Sequence, residues 1–134
     1  MELMIAVIVF ALIEYMFFTA KVGWARGKFG INAPAISGDP AFEVYFRVQQ
    51  NTLEQLIIFI PAIIAFSHTA EMLAWPGYEI ASGLGIIWLI GRIAYYKAYI
   101  GDPAKRGIGF IMTFMPSAAM LLGTLLCLAI LAVR

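Results

Sequence analysis

The sequence predicts an all-α integral membrane protein, a single bundle of four transmembrane helices over residues 1–134, and three observations carry that prediction. Of the 134 residues, 63% are hydrophobic and only 13% charged, whereas an ordinary soluble domain is about half apolar and a quarter charged. Four apolar runs, at about 3–20, 44–70, 78–99 and 108–132, each approach the roughly 20 residues that a helix needs to cross a bilayer. The links between them hold most of the charges and the densest clusters of turn-forming residues.

The first run follows Glu2 rather than a cluster of lysines and has no small-residue cleavage pattern after it, so it reads as a retained helix and not a leader. The link at 21–43 contains Gly23, Gly27, Gly30, Pro34, Gly38 and Pro40, which is turn chemistry, and is expected at the membrane surface. Pro61 and Pro116 fall inside apolar runs, where they are expected to kink helices without ending them. The link near Glu71, Trp75, Pro76 and Gly77 is short, and so is the basic one at Gly101–Gly107. Gly83, Gly85, Gly91 and Gly123 are expected to let helices approach closely.

Charge assigns the links to two sides. Lys21, Arg26 and Lys28 lie in the first, Lys97, Lys105 and Arg106 at or in the third, and only Glu71 and Glu79 near the second. The positive-inside rule therefore puts the first and third links in the cytoplasm, with both termini opposite. A formal charge of +1 without a basic face gives no footprint for nucleic acid. The lone Cys127 excludes an intrachain disulfide, and no metal-ligand spacing occurs.

One stripe needs explaining. Arg47, Asn51 and Glu54 stand at i, i+4 and i+7 with Gln50 beside them, on one face of a helix at about 100° per residue. Charges within a membrane cost several kcal/mol unless they are paired or face a wet cavity, and they mark function by default. On spacing alone, Arg47 and Glu54 serve equally well as an ion pair between helices. The next helix carries Arg92, Tyr95, Tyr96 and Tyr99 at its cytoplasmic end, and Arg106 opens the last one. All share one depth. Tyr96 suits the aromatic belt of the interface, Lys105 is expected to act only as an orientation charge, and His68 is expected at the opposite interface.

Three guanidinium groups, a carboxylate, amides and phenols suit a small zwitterionic or polyanionic ligand, since arginine forks bind carboxylates and a carboxylate binds an amine. Glutathione has that inventory. Its thiol is mostly protonated at neutral pH, and a fixed cation favours the reactive thiolate; Arg106, at a helix N-terminus, is the best-placed group.

These residues resemble the MAPEG family, membrane-associated proteins in eicosanoid and glutathione metabolism. Arg47-x-Gln49-x-Asn51-x-x-Glu54 is similar to the family's glutathione-binding pattern on helix 2, preceded by a matching Pro40-Ala41-Phe42-Glu43. Tyr95-x-x-x-Tyr99 followed by Arg106 is similar to the helix 3 to helix 4 arrangement of its leukotriene-forming members. The resemblance spans essentially the whole chain. It implies a homotrimer with three glutathione sites between subunits near the cytosolic face, and binding by Arg26, Arg47, Gln49, Asn51, Glu54, Tyr95 and Tyr99. Arg106 would be the catalytic residue, stabilising the thiolate, with the stripe holding glutathione for a neighbouring subunit's arginine.

The implied activity is conjugation of glutathione, as co-substrate and without metal, to hydrophobic electrophiles, with lipid hydroperoxide reduction as a second reaction. The implied partners are glutathione, the hydrophobic acceptor and membrane lipids, in a bacterial inner membrane or the endoplasmic reticulum. Two departures weaken leukotriene synthesis specifically. Gln55 stands where leukotriene-forming members have a tyrosine, and Gly27 where they have a second arginine. Two other readings stay open: a non-catalytic lipid- or glutathione-binding protein, and a small multidrug transporter using Glu14, a carboxylate with no partner in its own run.

Overall fold

The computed structural model describes all 134 residues. Four helices run in order: α1 (Glu2–Phe29), α2 (Pro40–Glu71), α3 (Gly77–Gly101) and α4 (Gly107–Ala132), with a 3-10 turn over Pro103–Arg106 before α4. The protein is an integral membrane bundle, and α1, α2 and α4 are each long and apolar enough to cross a bilayer by composition alone. The third helix carries Glu79, Arg92 and Lys97 along its length. It is held centrally instead: α2 and α3 pack on each other and on both outer helices.

The first link is shorter than the sequence predicts. Rather than ending near residue 20, α1 continues to Phe29, carrying Gly23 and Gly27 inside the helix with open space around both. Two glycines cost helix stability, but Val22 and Ala25 bury against Phe42 of α2 and hold that last turn down. The helix ends where Gly30 adopts a left-handed conformation (φ 68°), the usual C-terminal signal. At about 1.5 Å per residue, the 28 residues of α1 and 32 of α2 exceed a hydrocarbon core of roughly 30 Å. Both therefore project past it at the end that carries Lys21, Arg26 and Lys28. On the return, Asp39 caps α2 by accepting from Ala41 N at 2.7 Å, with Pro40 in the first turn. Pro61 and Pro116 lie inside α2 and α4 as expected.

Close helix approach rests on glycine, at three of the four expected positions. A Cβ at Gly85 would meet Val7 of α1, one at Gly91 would lie 2.7 Å from the Met112 Cβ, and one at Gly123 would lie 2.6 Å from the Phe66 ring. Gly83 faces open space, so its expected packing role is corrected. Gly109, which the sequence does not single out, lies hard against the backbone of Tyr95. The main apolar core sits toward the acidic end, where Phe59 and Trp88 stack with ring centroids 4.4 Å apart. A smaller cluster of Phe18, Val48 and Tyr95 lies under the polar end.

Candidate functional site

At the basic end a pocket of about 430 Å³ opens between α2, α3 and the start of α4, lined by Arg47, Gln50, Asn51, Glu54, Tyr95, Tyr99, Arg106 and Phe110. That volume lies in the range of small-molecule sites. Local structure explains each placement. The i, i+4, i+7 spacing on α2 points Arg47, Asn51 and Glu54 the same way, and Asn51 Nδ2 reaches toward Glu54 Oε2 at 3.5 Å. Tyr95 and Tyr99, one turn apart on α3, have ring centroids 5.4 Å apart. Gly109 brings α4 onto α3 at Tyr95, which places Arg106 beside the phenols. The Arg106 guanidinium lies 5.4 Å over the Tyr99 ring and donates to Pro103 O at 3.0 Å.

Six sequence-predicted site residues thus meet in one chain: Arg47, Asn51, Glu54, Tyr95, Tyr99 and Arg106. This chain's own Arg106 lines the same pocket as the stripe. Gln49 and Arg26 lie elsewhere. Gln49 is half a turn from Asn51, and its Nε2 donates to Tyr15 Oη on α1 at 2.7 Å. Arg26 donates to Ala35 O at 2.7 Å and lies over the Phe42 ring. Gln50 and Phe110 join the pocket without having been named as ligand-binding. Gln50 was visible beside the stripe; Phe110 gave no signal, being one apolar residue among many.

Arg92 does not line the pocket. It is fully buried behind the wall, where Nη1 donates to Asn51 Oδ1 at 3.1 Å and Nη2 to Thr52 Oγ1 at 2.9 Å. The expected trio of guanidinium groups facing the ligand is therefore a pair, Arg47 and Arg106. Gln55 is also buried and off the pocket, so the departure at that position does not alter its lining. Tyr96 points to the other side of α3 and stacks on Phe18, beside a cleft of about 500 Å³ between α1 and α3 that is apolar except for Glu14. His68 is remote, bonded within its own helix to Ile64 O and edge-on to Tyr78. No three His, Cys, Asp or Glu side chains converge.

Chemically, the pocket offers two cations, one anion, two amides and two phenols against a mostly apolar molecule. It can hold carboxylates at Arg47 and Arg106, an amine at Glu54 and peptide groups at Asn51 and Gln50.

Comparison with known proteins gives a consistent result. Residues 4–126 match the model of the MAPEG family. An uncharacterized protein of Synechocystis sp. is 38% identical over 84% of this chain and 77% of its own length. Microsomal glutathione S-transferase 2 of Homo sapiens is 35% identical over 81% of this chain and 69% of its own. Leukotriene C4 synthase of Rattus norvegicus is 30% identical, covering 67% of this chain and 56% of its own length.

Proposed function

This chain belongs to the MAPEG family, and from that premise we propose that it is a membrane-bound glutathione transferase that joins glutathione to hydrophobic electrophiles. One observation carries the reading: the polar pocket that unites Arg47, Asn51, Glu54, Tyr95, Tyr99 and Arg106 within a single chain. The name of microsomal glutathione S-transferase 2, a relative over most of this chain, supports the same reaction class. The family match weighs against the transporter reading of Glu14.

In this reading Arg47 takes a carboxylate of glutathione, Glu54 its amine, and Asn51 and Gln50 its peptide groups. The thiol comes to rest near Arg106, with Tyr95 or Tyr99 donating a hydrogen bond to sulfur. The thiol proton leaves to water through the open pocket, and the cation holds the thiolate. The sulfur lone pair then forms a carbon–sulfur bond as the electrophile's leaving group departs with its electrons. With a lipid hydroperoxide as acceptor, the thiolate attacks the outer oxygen and the O–O bond breaks; the alkoxide takes a proton from water to leave as the alcohol, and the glutathione sulfenic acid so formed reacts with a second glutathione to give the disulfide and water. An acceptor dissolved in the bilayer reaches such a site from the side, which is the physical reason for a membrane location.

The assembly proposed is a homotrimer, and the site faces the cytoplasm by charge bias. Support for assembly comes from Gln49 and Arg26, which lie off the pocket of their own chain. The host membrane is a bacterial inner membrane or the endoplasmic reticulum. Purified protein in detergent, given glutathione and a model electrophile, is expected to form the thioether. Binding of glutathione with no conjugate from any of a panel of electrophiles and hydroperoxides would leave the non-catalytic reading.

A further inference from the structure

Arg92 is the largest buried charged side chain, fully enclosed between α2 and α3, and its position one layer behind the pocket has a chemical consequence. A guanidinium has only donors. The Asn51 atom that it touches at 3.1 Å must therefore be the carbonyl oxygen, which leaves the amide nitrogen of Asn51 turned toward the pocket and Glu54. The second contact makes the orientation rigid. Thr52 donates its hydroxyl proton to Val48 O at 2.7 Å, so its oxygen is free to accept from Arg92 Nη2 at 2.9 Å. A planar fork anchored on two adjacent residues of α2 cannot rotate without breaking both bonds.

The surroundings keep the guanidinium in place. It lies over the Tyr95 ring, 4.4 Å from the centroid, a favourable contact for a cation withdrawn from water. On the other side, Glu14 of α1 lines the apolar α1–α3 cleft with Oε2 buried and unbonded, and Arg92 Nε is likewise unbonded.

From this geometry we infer that Arg92 is a positioning residue: it fixes Asn51 as a hydrogen-bond donor to a carbonyl or carboxylate oxygen of the bound ligand. The inference deepens the glutathione reading and rests on it. It also makes the site specific, since a ligand offering a donor at this point would meet a second donor.

The test is a double-mutant cycle on the intact protein, with Glu14→Gln in every member so that Arg92→Met leaves no lone carboxylate. Steady-state kinetics with a model electrophile are read for glutathione KM and kcat separately, together with glutathione binding by calorimetry. Arg92→Met is expected to raise the glutathione KM about tenfold with kcat changed much less, as for loss of one well-placed bond to the ligand. In an Asn51→Ala background the same change is expected to do nothing further, because its route of action is gone. Equal effects in both backgrounds would overturn the inference.

Should Arg92→Met fail to fold, Asn51→Asp decides. It keeps, and strengthens, the bond to Arg92 while presenting only acceptors to the pocket. Its glutathione affinity is expected to fall at least about tenfold with no loss of thermal stability; unchanged affinity would again overturn the inference. Glutathione that fails to bind even the unmodified protein would sink the functional reading itself, and this inference with it. Binding by the unmodified protein with an additive cycle sinks the inference alone.

Discussion

Gly109 of α4 lies so close to Tyr95 of α3 that a Cβ at position 109 would come within 2.6 Å of the Tyr95 Cα. Nothing at that point can yield, because the obstacle is backbone. The contact draws the start of α4 against the tyrosine stripe and sets where Arg106 stands. Gly109→Ala is expected to push the helices apart, lowering stability by about 1–3 kcal/mol and reducing conjugation further by displacing Arg106. Gly83→Ala, with nothing within 4 Å, is the matched control and is expected to change neither. Thermal unfolding in detergent and a conjugation assay on both variants check the pair.

Arg47 and Glu54 face the pocket from one stripe of α2. Each is expected to hold an oppositely charged group of glutathione, so Arg47→Ala and Glu54→Ala should each weaken binding by about tenfold or more. Calorimetry is the measurement, and equal affinity in both variants would remove α2 from the binding site.

Lys105 and Arg106 are adjacent and both exposed, yet they are expected to behave differently. Lys105 Nζ lies 3.7 Å from Asp102, an exposed pair of small energetic weight, and points away from the pocket lining. Lys105→Gln is expected to leave conjugation within about twofold, as usual for a surface change, while Arg106→Ala removes most of it. Loss of activity in both would mean that general positive charge at this end, and not one guanidinium, matters.

The homotrimer is checked by native mass spectrometry of detergent-solubilised protein, where three copies are expected. Gln49→Leu removes the amide that bonds Tyr15 and is expected to weaken α1–α2 packing by about 1 kcal/mol. Any loss of glutathione affinity beyond that packing change would place Gln49 at a neighbouring subunit's pocket.

Much of this molecule is legible in its sequence because its two strongest signals are periodic. Apolar runs of bilayer length give the helices, and the spacing of Arg47, Asn51 and Glu54 gives a common face that the structure presents to one pocket. What the sequence conceals is lateral. Gln49 belongs to the same motif, but which neighbour it meets depends on how α1 lies against α2, and that neighbour is Tyr15. Arg92 shares a stripe with Tyr95, yet the side chain turns behind Asn51 rather than into the cavity. The extension of α1 past residue 20 was hidden by Gly23 and Gly27, which signal a turn locally. Burial of Val22 and Ala25 against Phe42 overrides that signal.

The central claim is that one chain binds glutathione along α2 and ionises its thiol at Arg106. Thiolate absorbs in the ultraviolet where thiol does not, so the most direct measurement is the absorbance change when glutathione is added at neutral pH to the unmodified protein and to Arg106→Ala, with binding to each measured in parallel. The unmodified protein is expected to bind glutathione and develop the thiolate band, and Arg106→Ala to bind it with most of the band lost. An undiminished band in Arg106→Ala would contradict the role of Arg106.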